Sequence, residues 1–168
     1  MKRVLRVIAP TIIAFTIYII YTGSLKVYDL VSGAVVAIVV GSILSPMLVE
    51  DWRKSLDIKR FLHLIVYTLR YFLIDEVKAH IHVIKLGLSP RMPIRPGIVR
   101  VPISSKDDYA WTLVSISITN TPGTVVVDID REKGLAYVNW INVTTTDPLE
   151  CYKNIARVFD SYAKKIFD

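Results

Sequence analysis

From Val7 to Leu25 and from Leu30 to Val49 the chain carries no Asp, Glu, Lys, Arg or His, and at 19 and 20 residues each run is long enough to cross a bilayer as a helix. Hydrocarbon offers backbone amides no water, so a spanning segment of this length must satisfy them within itself. The missing charge constrains function as well as fold. Ion sites and proton relays inside a membrane are normally marked by buried ionisable groups facing a partner or a cavity, so these runs read as anchors and packing surfaces. The first run is long, lacks an Ala-x-Ala-like exit and is followed at once by the second, which argues against a cleaved signal peptide.

The basic residues set an expected topology. Lys2, Arg3 and Arg6 precede the first run, only Lys26 lies between the runs, and Arg53, Lys54, Lys59 and Arg60 follow the second. The positive-inside rule then puts both ends of the hairpin in the cytoplasm and the Thr22–Asp29 connection outside. Phe61 to Leu86 is apolar at many positions but is interrupted by Arg70, Asp75, Glu76, Lys78 and Lys85. On a helical wheel Lys59, His63, Arg70, Lys78 and Lys85 fall opposite Phe61, Leu62, Ile65, Leu69, Phe72 and Val83, the pattern of a helix lying in the membrane interface. A third crossing would move the basic stretch Arg91, Arg95, Arg100 and Lys106 outside, against the rule, so two spans and one interfacial helix are expected.

Within the second run Gly33, Ala37, Gly41 and Ser45 recur every four residues, aligning small side chains on one helical face where another backbone can approach closely. The neighbour is either the chain's own first helix or a different protein of the same assembly. The net charge of +6 does not suggest nucleic acid, because the Lys and Arg residues flank the membrane runs instead of forming one groove. The single cysteine, Cys151, excludes an internal disulfide and fits a domain facing a reducing compartment.

Beyond Leu88 the character changes to that of an ordinary water-soluble fold. Pro90, Pro93, Pro96 and Gly97 form a rigid connector, followed by Ile98–Ile103 as a strand. Ser105 with Asp108 resembles a capping box opening a helix to about Thr119, yet Val114, Ile116 and Ile118 alternate with Ser115, Ser117 and Thr119 as in a half-buried strand; both readings stand. Val125–Ile129 and Leu135–Val143 read as strands joined by a turn over 130–134. Asp147, Pro148 and Glu150 then cap a final helix whose apolar face runs through Leu149, Tyr152, Ile155, Ala156, Phe159, Tyr162 and Ile166. The expected fold is a membrane α-helical anchor of two spans plus an amphipathic helix, with a small cytoplasmic α+β domain of order β-α-β-β-α. Its parts are 1–50 as anchor, 51–88 as interfacial helix and 89–168 as the cytoplasmic domain.

Ile94-Arg95-Pro96-Gly97-Ile98 and Ile118-Thr119-Asn120-Thr121-Pro122-Gly123-Thr124, followed by Val127-Asp128-Ile129, closely resemble the E-subunit family of multi-subunit cation/proton antiporters of the Mrp or Mnh type. The likeness runs over nearly the whole chain, and the Thr-Pro-Gly-Thr turn with its Val-x-Asp strand is its most specific part. It implies a non-catalytic subunit serving assembly and stability of a cation (Na+)/proton antiporter, in the cell membrane as a multi-pass protein. The same subunit type belongs to archaeal membrane-bound hydrogenase and sulfane sulfur reductase complexes, so the resemblance implies other subunits of such a complex as partners. It further implies that Ala110–Thr119 is a helix.

Physical roles for the shared residues follow from their chemistry. In Thr121-Pro122-Gly123-Thr124 the proline sets the first turn angle and the glycine accepts the positive φ of a type II turn, a structural corner by default. Arg95, beside Pro96 and Gly97, is placed to meet an acidic lipid headgroup or a partner carboxylate, or simply to stay solvated. No Walker loop, Rossmann fingerprint, HExxH or CxxC occurs, so no catalytic, cofactor-binding or metal site is assigned. Glu76 and His80, four apart, are a weak metal pair, and the Asn142-Val143-Thr144 acceptor sequence has no use on a cytoplasmic strand. The competing function class is a membrane-anchored regulatory or ligand-sensing domain, which needs an apolar pocket with convergent polar groups.

Overall fold

The computed structural model describes residues 2–168, with side chains from Leu5 onward; Lys2 and Arg3, on which the expected topology partly rests, lie outside the described side chains. The chain forms two compact units, Met1–Ile58 and Lys59–Asp168.

The first unit is a helical hairpin. Helix α1 (Lys2–Thr22) and helix α2 (Val27–Leu48) are joined by a short turn at Gly23–Lys26, and both are long and apolar enough to cross a membrane. Helix α2 begins before Asp29, so this carboxylate sits in its first turn, where the helix dipole favours a negative charge, and it accepts a 2.6 Å hydrogen bond from the Ser24 hydroxyl. The helices run antiparallel: Gly33 lies against Tyr18 and Phe15, and Gly41 against the backbone of Thr11. Gly33, Ala37, Gly41 and Ser45 are the buried residues of α2, so the small-residue stripe is the seam of the chain's own hairpin. Tyr18 and Ser32 share a 2.9 Å hydrogen bond across it. Ile12, Ile17, Val35, Ile38 and Ile43 point outward and uncovered, as lipid-facing side chains do. The short helix α3 (Trp52–Ser55), capped by Asp51 accepting from the Arg53 amide, follows, and Arg6 donates to the Glu50 carbonyl at 2.9 Å.

In the second unit a long helical segment comes first: α4 (Ile58–Arg70), one π-helical turn (Tyr71–Asp75) and α5 (Glu76–Leu88). The π turn brings residues five apart into line, and the Arg70 guanidinium meets the Asp75 carboxylate across it at 3.1 Å. Its extra residue also shifts the helical wheel, so Val83, expected beside Phe61 and Phe72, turns inward toward Gly123. Phe61, Leu62, Leu69 and Phe72 are exposed, whereas Tyr67 and Tyr71 join the core of the α+β fold. In packing terms the helix is therefore part of the second unit.

Strand β1 (Gly97–Pro102), helix α6 (Asp108–Asn120), strands β2 (Thr124–Asp130) and β3 (Leu135–Trp140), and helices α7 (Pro148–Ile155) and α8 (Arg157–Phe167) complete it. The sheet is antiparallel in the order β1-β3-β2, and the row Val99–Val138–Val126 turns its inner face onto α6 and the C-terminal helices. Of the two readings of this segment the helix forms, as the expected β-α-β-β-α order and the resemblance have it: Ala110, Trp111, Val114, Ser117 and Ile118 are buried at helical spacing while Ile116 faces out. The cap is Asp107, accepting from the Tyr109 amide at 2.9 Å, and not Ser105, whose hydroxyl is held elsewhere. A bulge between Val126 and Asp128 interrupts β2. The final helix is two, parted at Ala156 (φ −113°), and Leu149 is exposed, off the apolar face expected for it.

Candidate functional site

The Thr121–Thr124 corner ends α6 and starts β2. The Thr124 amide donates to the Thr121 carbonyl at 3.3 Å and Gly123 has φ +98°, the geometry of a type II turn. Both threonine hydroxyls face back into the helix: Thr121 Oγ1 donates to the Ser117 carbonyl (2.7 Å) and Thr124 Oγ1 to the Ile118 carbonyl (2.8 Å). The last carbonyls of a helix have no partner within it, so the motif is a C-terminal cap built from side chains. Pro122 prevents the helix from continuing, and a Cβ at Gly123 would stand 3.0 Å from Ile141 Cγ2. These hydroxyl protons are committed to the fold.

The Arg95-Pro96-Gly97 connector is tied by its backbone. The Arg95 carbonyl accepts from the Val143 amide at 2.8 Å, and Gly97 passes under Val143, whose Cγ2 would lie 3.2 Å from an added Cβ. The Arg95 side chain is exposed and makes no hydrogen bond or ion pair among the described residues. Asp128 is exposed just past the bulge, and its carboxylate accepts from the Ile129 amide at 2.8 Å. The structure thus brings neither Arg95 nor Asp128 to the corner; each serves its own stretch of backbone.

Two polar clusters escape a reading of sequence alone. Tyr67 donates to Ser117 Oγ, whose own proton goes to the Leu113 carbonyl, and Asn120 Nδ2 donates to the Tyr71 hydroxyl at 3.0 Å. Burial pushes the Tyr67 phenol up to about 12, the Ser117 hydrogen bond only partly opposing it. The second cluster surrounds Asp160, which has no exposed surface. Its carboxylate accepts from the amide and hydroxyl of Ser105 (3.0 and 2.6 Å), from those of Ser104, and from the Tyr152 hydroxyl at 3.1 Å. Burial opposes ionisation here, but the serine donors outweigh it and hold the carboxyl below the ordinary range. No sequence signal pairs residues 55 or more apart; only the oddity of an acidic residue on an apolar helix face hints at it.

Beside the corner lies a cleft of about 430 Å³ walled by Lys78 and His82 of α5, by Trp140 and Thr144, and by Lys153 and Arg157 at the α7–α8 break. Among the described residues no group of three or more His, Cys, Asp or Glu is placed to hold a metal ion, and the Glu76–His80 pair is 3.6 Å apart with the imidazole nitrogen bonded to the Glu76 carbonyl at 2.9 Å.

Known proteins resemble this chain over most of its length. It is 30% identical over 152 residues to the E subunit of the Na(+)/H(+) antiporter of Alkalihalophilus pseudofirmus, covering 90% of each chain. It is 32% identical over 95 residues to that of Bacillus subtilis, covering 56% of this chain and 57% of the relative. In structure it is similar to a chain of the membrane-bound sulfane sulfur reductase, an archaeal respiratory membrane complex, with a TM-score of 0.83 and 28% identity over 96% of this chain and 99% of that one. The family described as MNHE, Na+/H+ ion antiporter subunit, matches residues 11–166. An apolar hairpin, a capped Thr-Pro-Gly-Thr corner and a three-stranded sheet under two C-terminal helices are what this match spans, and the chain belongs to the MNHE family of Na+/H+ antiporter subunits.

Proposed function

We propose that the chain is a non-catalytic membrane subunit of a multi-subunit cation/proton antiporter, or of the antiporter module of a membrane-bound respiratory complex, and that it serves assembly and stability. The observation that carries this reading is the family match over residues 11–166, which takes in both the hairpin and the α+β unit. The chemistry of the hairpin supports the structural half of it. Between Val7 and Leu25 and between Leu30 and Val49 there is no Asp, Glu, Lys, Arg or His, and the Asp29 carboxylate, in the first turn of α2, accepts from the Ser24 hydroxyl. Both ends of the hairpin lie in the cytoplasm in this proposal, with Lys59–Asp168 on that side and α4–α5 along the membrane interface, its exposed Phe61, Leu62, Leu69 and Phe72 toward lipid.

Purifying the full chain from its native membrane in mild detergent should bring other membrane subunits with it. Asp29→Asn should leave cation/proton antiport near normal in the assembled complex. A chain that purifies alone, or an assembled Asp29→Asn complex without transport, would overturn the assignment.

A further inference from the structure

We infer that the cleft beside the Thr121–Thr124 corner seats the phosphate headgroup of an anionic phospholipid whose acyl chain lies along the adjoining apolar ridge of α5. The inference rests on the reading of α4–α5 as an interfacial segment. The ridge consists of Val77, Ile81, Ile84 and Leu88 of α5, preceded by Ile74 of the π turn, alternating three and four residues apart and 41–79% exposed. Lys78, His82 and Lys85 follow one edge of it, and Ala79 and Leu86 on the far side pack inward. Two of the three edge residues, Lys78 and His82, also wall the cleft, opposite Arg157 and Lys153. A volume of about 430 Å³ suits a polar headgroup, with Thr144 and Asn154 as neutral partners.

The charges of the cleft favour an anion. Its one carboxylate, Asp75, is paired with Arg70 at 3.1 Å, and Lys153 is met by Glu150 at 2.7 Å. Lys78 and His82 have no hydrogen-bond or ion-pair partner among the described residues, so a phosphate there displaces no existing pair. A free anion would use the cleft and leave the ridge bare; an acidic peptide would do the same. An amphiphile with a phosphate head covers both at once, burying apolar surface where the cations sit at its edge.

Native mass spectrometry of the full chain released from micelles doped with phosphatidylglycerol or phosphatidylcholine tests this. The chain should retain phosphatidylglycerol in preference to phosphatidylcholine. A cation near an anionic surface contributes about fivefold in affinity, so Lys78→Gln with Arg157→Gln should reduce the preference about 25-fold. Arg100→Gln, which removes one charge from the exposed face of the sheet, should leave it unchanged. Equal retention of both lipids by the unaltered chain, or an undiminished preference in the double variant, would overturn the inference. Displacement of the lipid by excess inorganic phosphate would replace it with a free-anion site. The interfacial reading fails separately, if Lys85→Cys in inserted protein is labelled from the outer side.

Discussion

At Gly123 the backbone adopts φ +98°, and an added Cβ would stand 3.0 Å from Ile141 and 3.4 Å from Val83. Gly123→Ala combines strain with a collision and should cost roughly 1–3 kcal/mol, read as a lowered melting temperature by circular dichroism in detergent. An unchanged melt would mean that the corner can be rebuilt without its left-handed residue. Asp160 gives a second prediction with a sign. Its folded-state pKa lies below the unfolded value of about 3.9, so its stabilisation is present above that value and is lost as pH falls through the depressed one. Asp160→Asn replaces an acceptor of five donors by an amide that must itself donate, and should cost about 2–4 kcal/mol at neutral pH. It should also flatten the acid limb of the stability curve below pH about 4. If the variant melts at the same temperature with the same acid limb, the serine–carboxylate cluster is not holding the fold. The corner was legible because its chemistry is local, set by neighbouring residues; Asp160 was not, because Ser104 and Ser105 meet it from 56 and 55 residues away along the chain.

At the scale of elements, the small-residue stripe of α2 belongs to a seam inside the chain. A Cβ at Gly41 would lie 2.9 Å from the Thr11 backbone nitrogen, which no rotamer change can relieve. Gly41→Leu should therefore destabilise the isolated chain, by about 1–3 kcal/mol, while Val39→Leu, at an outward position 53% exposed, should leave it unchanged. Thermal aggregation of each variant in detergent measures this. A Gly41→Leu chain as stable as the parent, but lost from its complex, would show that the face serves a neighbouring protein. Both apolar helices were evident from length and missing charge, since an uninterrupted apolar run of that length satisfies its own backbone in lipid as a helix. Helix α6 was expected in the β-α-β-β-α order but its periodicity left a strand open, because Ser and β-branched residues suit either period and burial of Val114 and Ile118 decides between them. The π turn left no trace in composition. One added residue moved Val83 from one side of the helix to the other, and a wheel drawn at constant pitch has no means of seeing it.

For the whole molecule, the proposed two-span topology has the Gly23–Lys26 turn on one side of the membrane and the chain after Val49 on the other. A membrane-impermeant maleimide should label Leu25→Cys only from outside and Lys85→Cys only from the cytoplasm. Cys151 needs no removal for this experiment. It has no exposed surface, and burial raises its thiol pKa, so the native chain should react only after unfolding. Labelling of Lys85→Cys from outside would require a third crossing and turn the α+β unit outward. The hairpin itself has an electrical consequence. A charge moved through a membrane potential exchanges about 2.3 kcal/mol per 100 mV with the field. From Val7 to Leu25 and from Leu30 to Val49 there is no formal charge to move, and the opposed dipoles of α1 and α2 largely cancel. Voltage can do almost no work on these two uncharged runs, so in a membrane whose potential changes they would hold their position as an electrically silent strut.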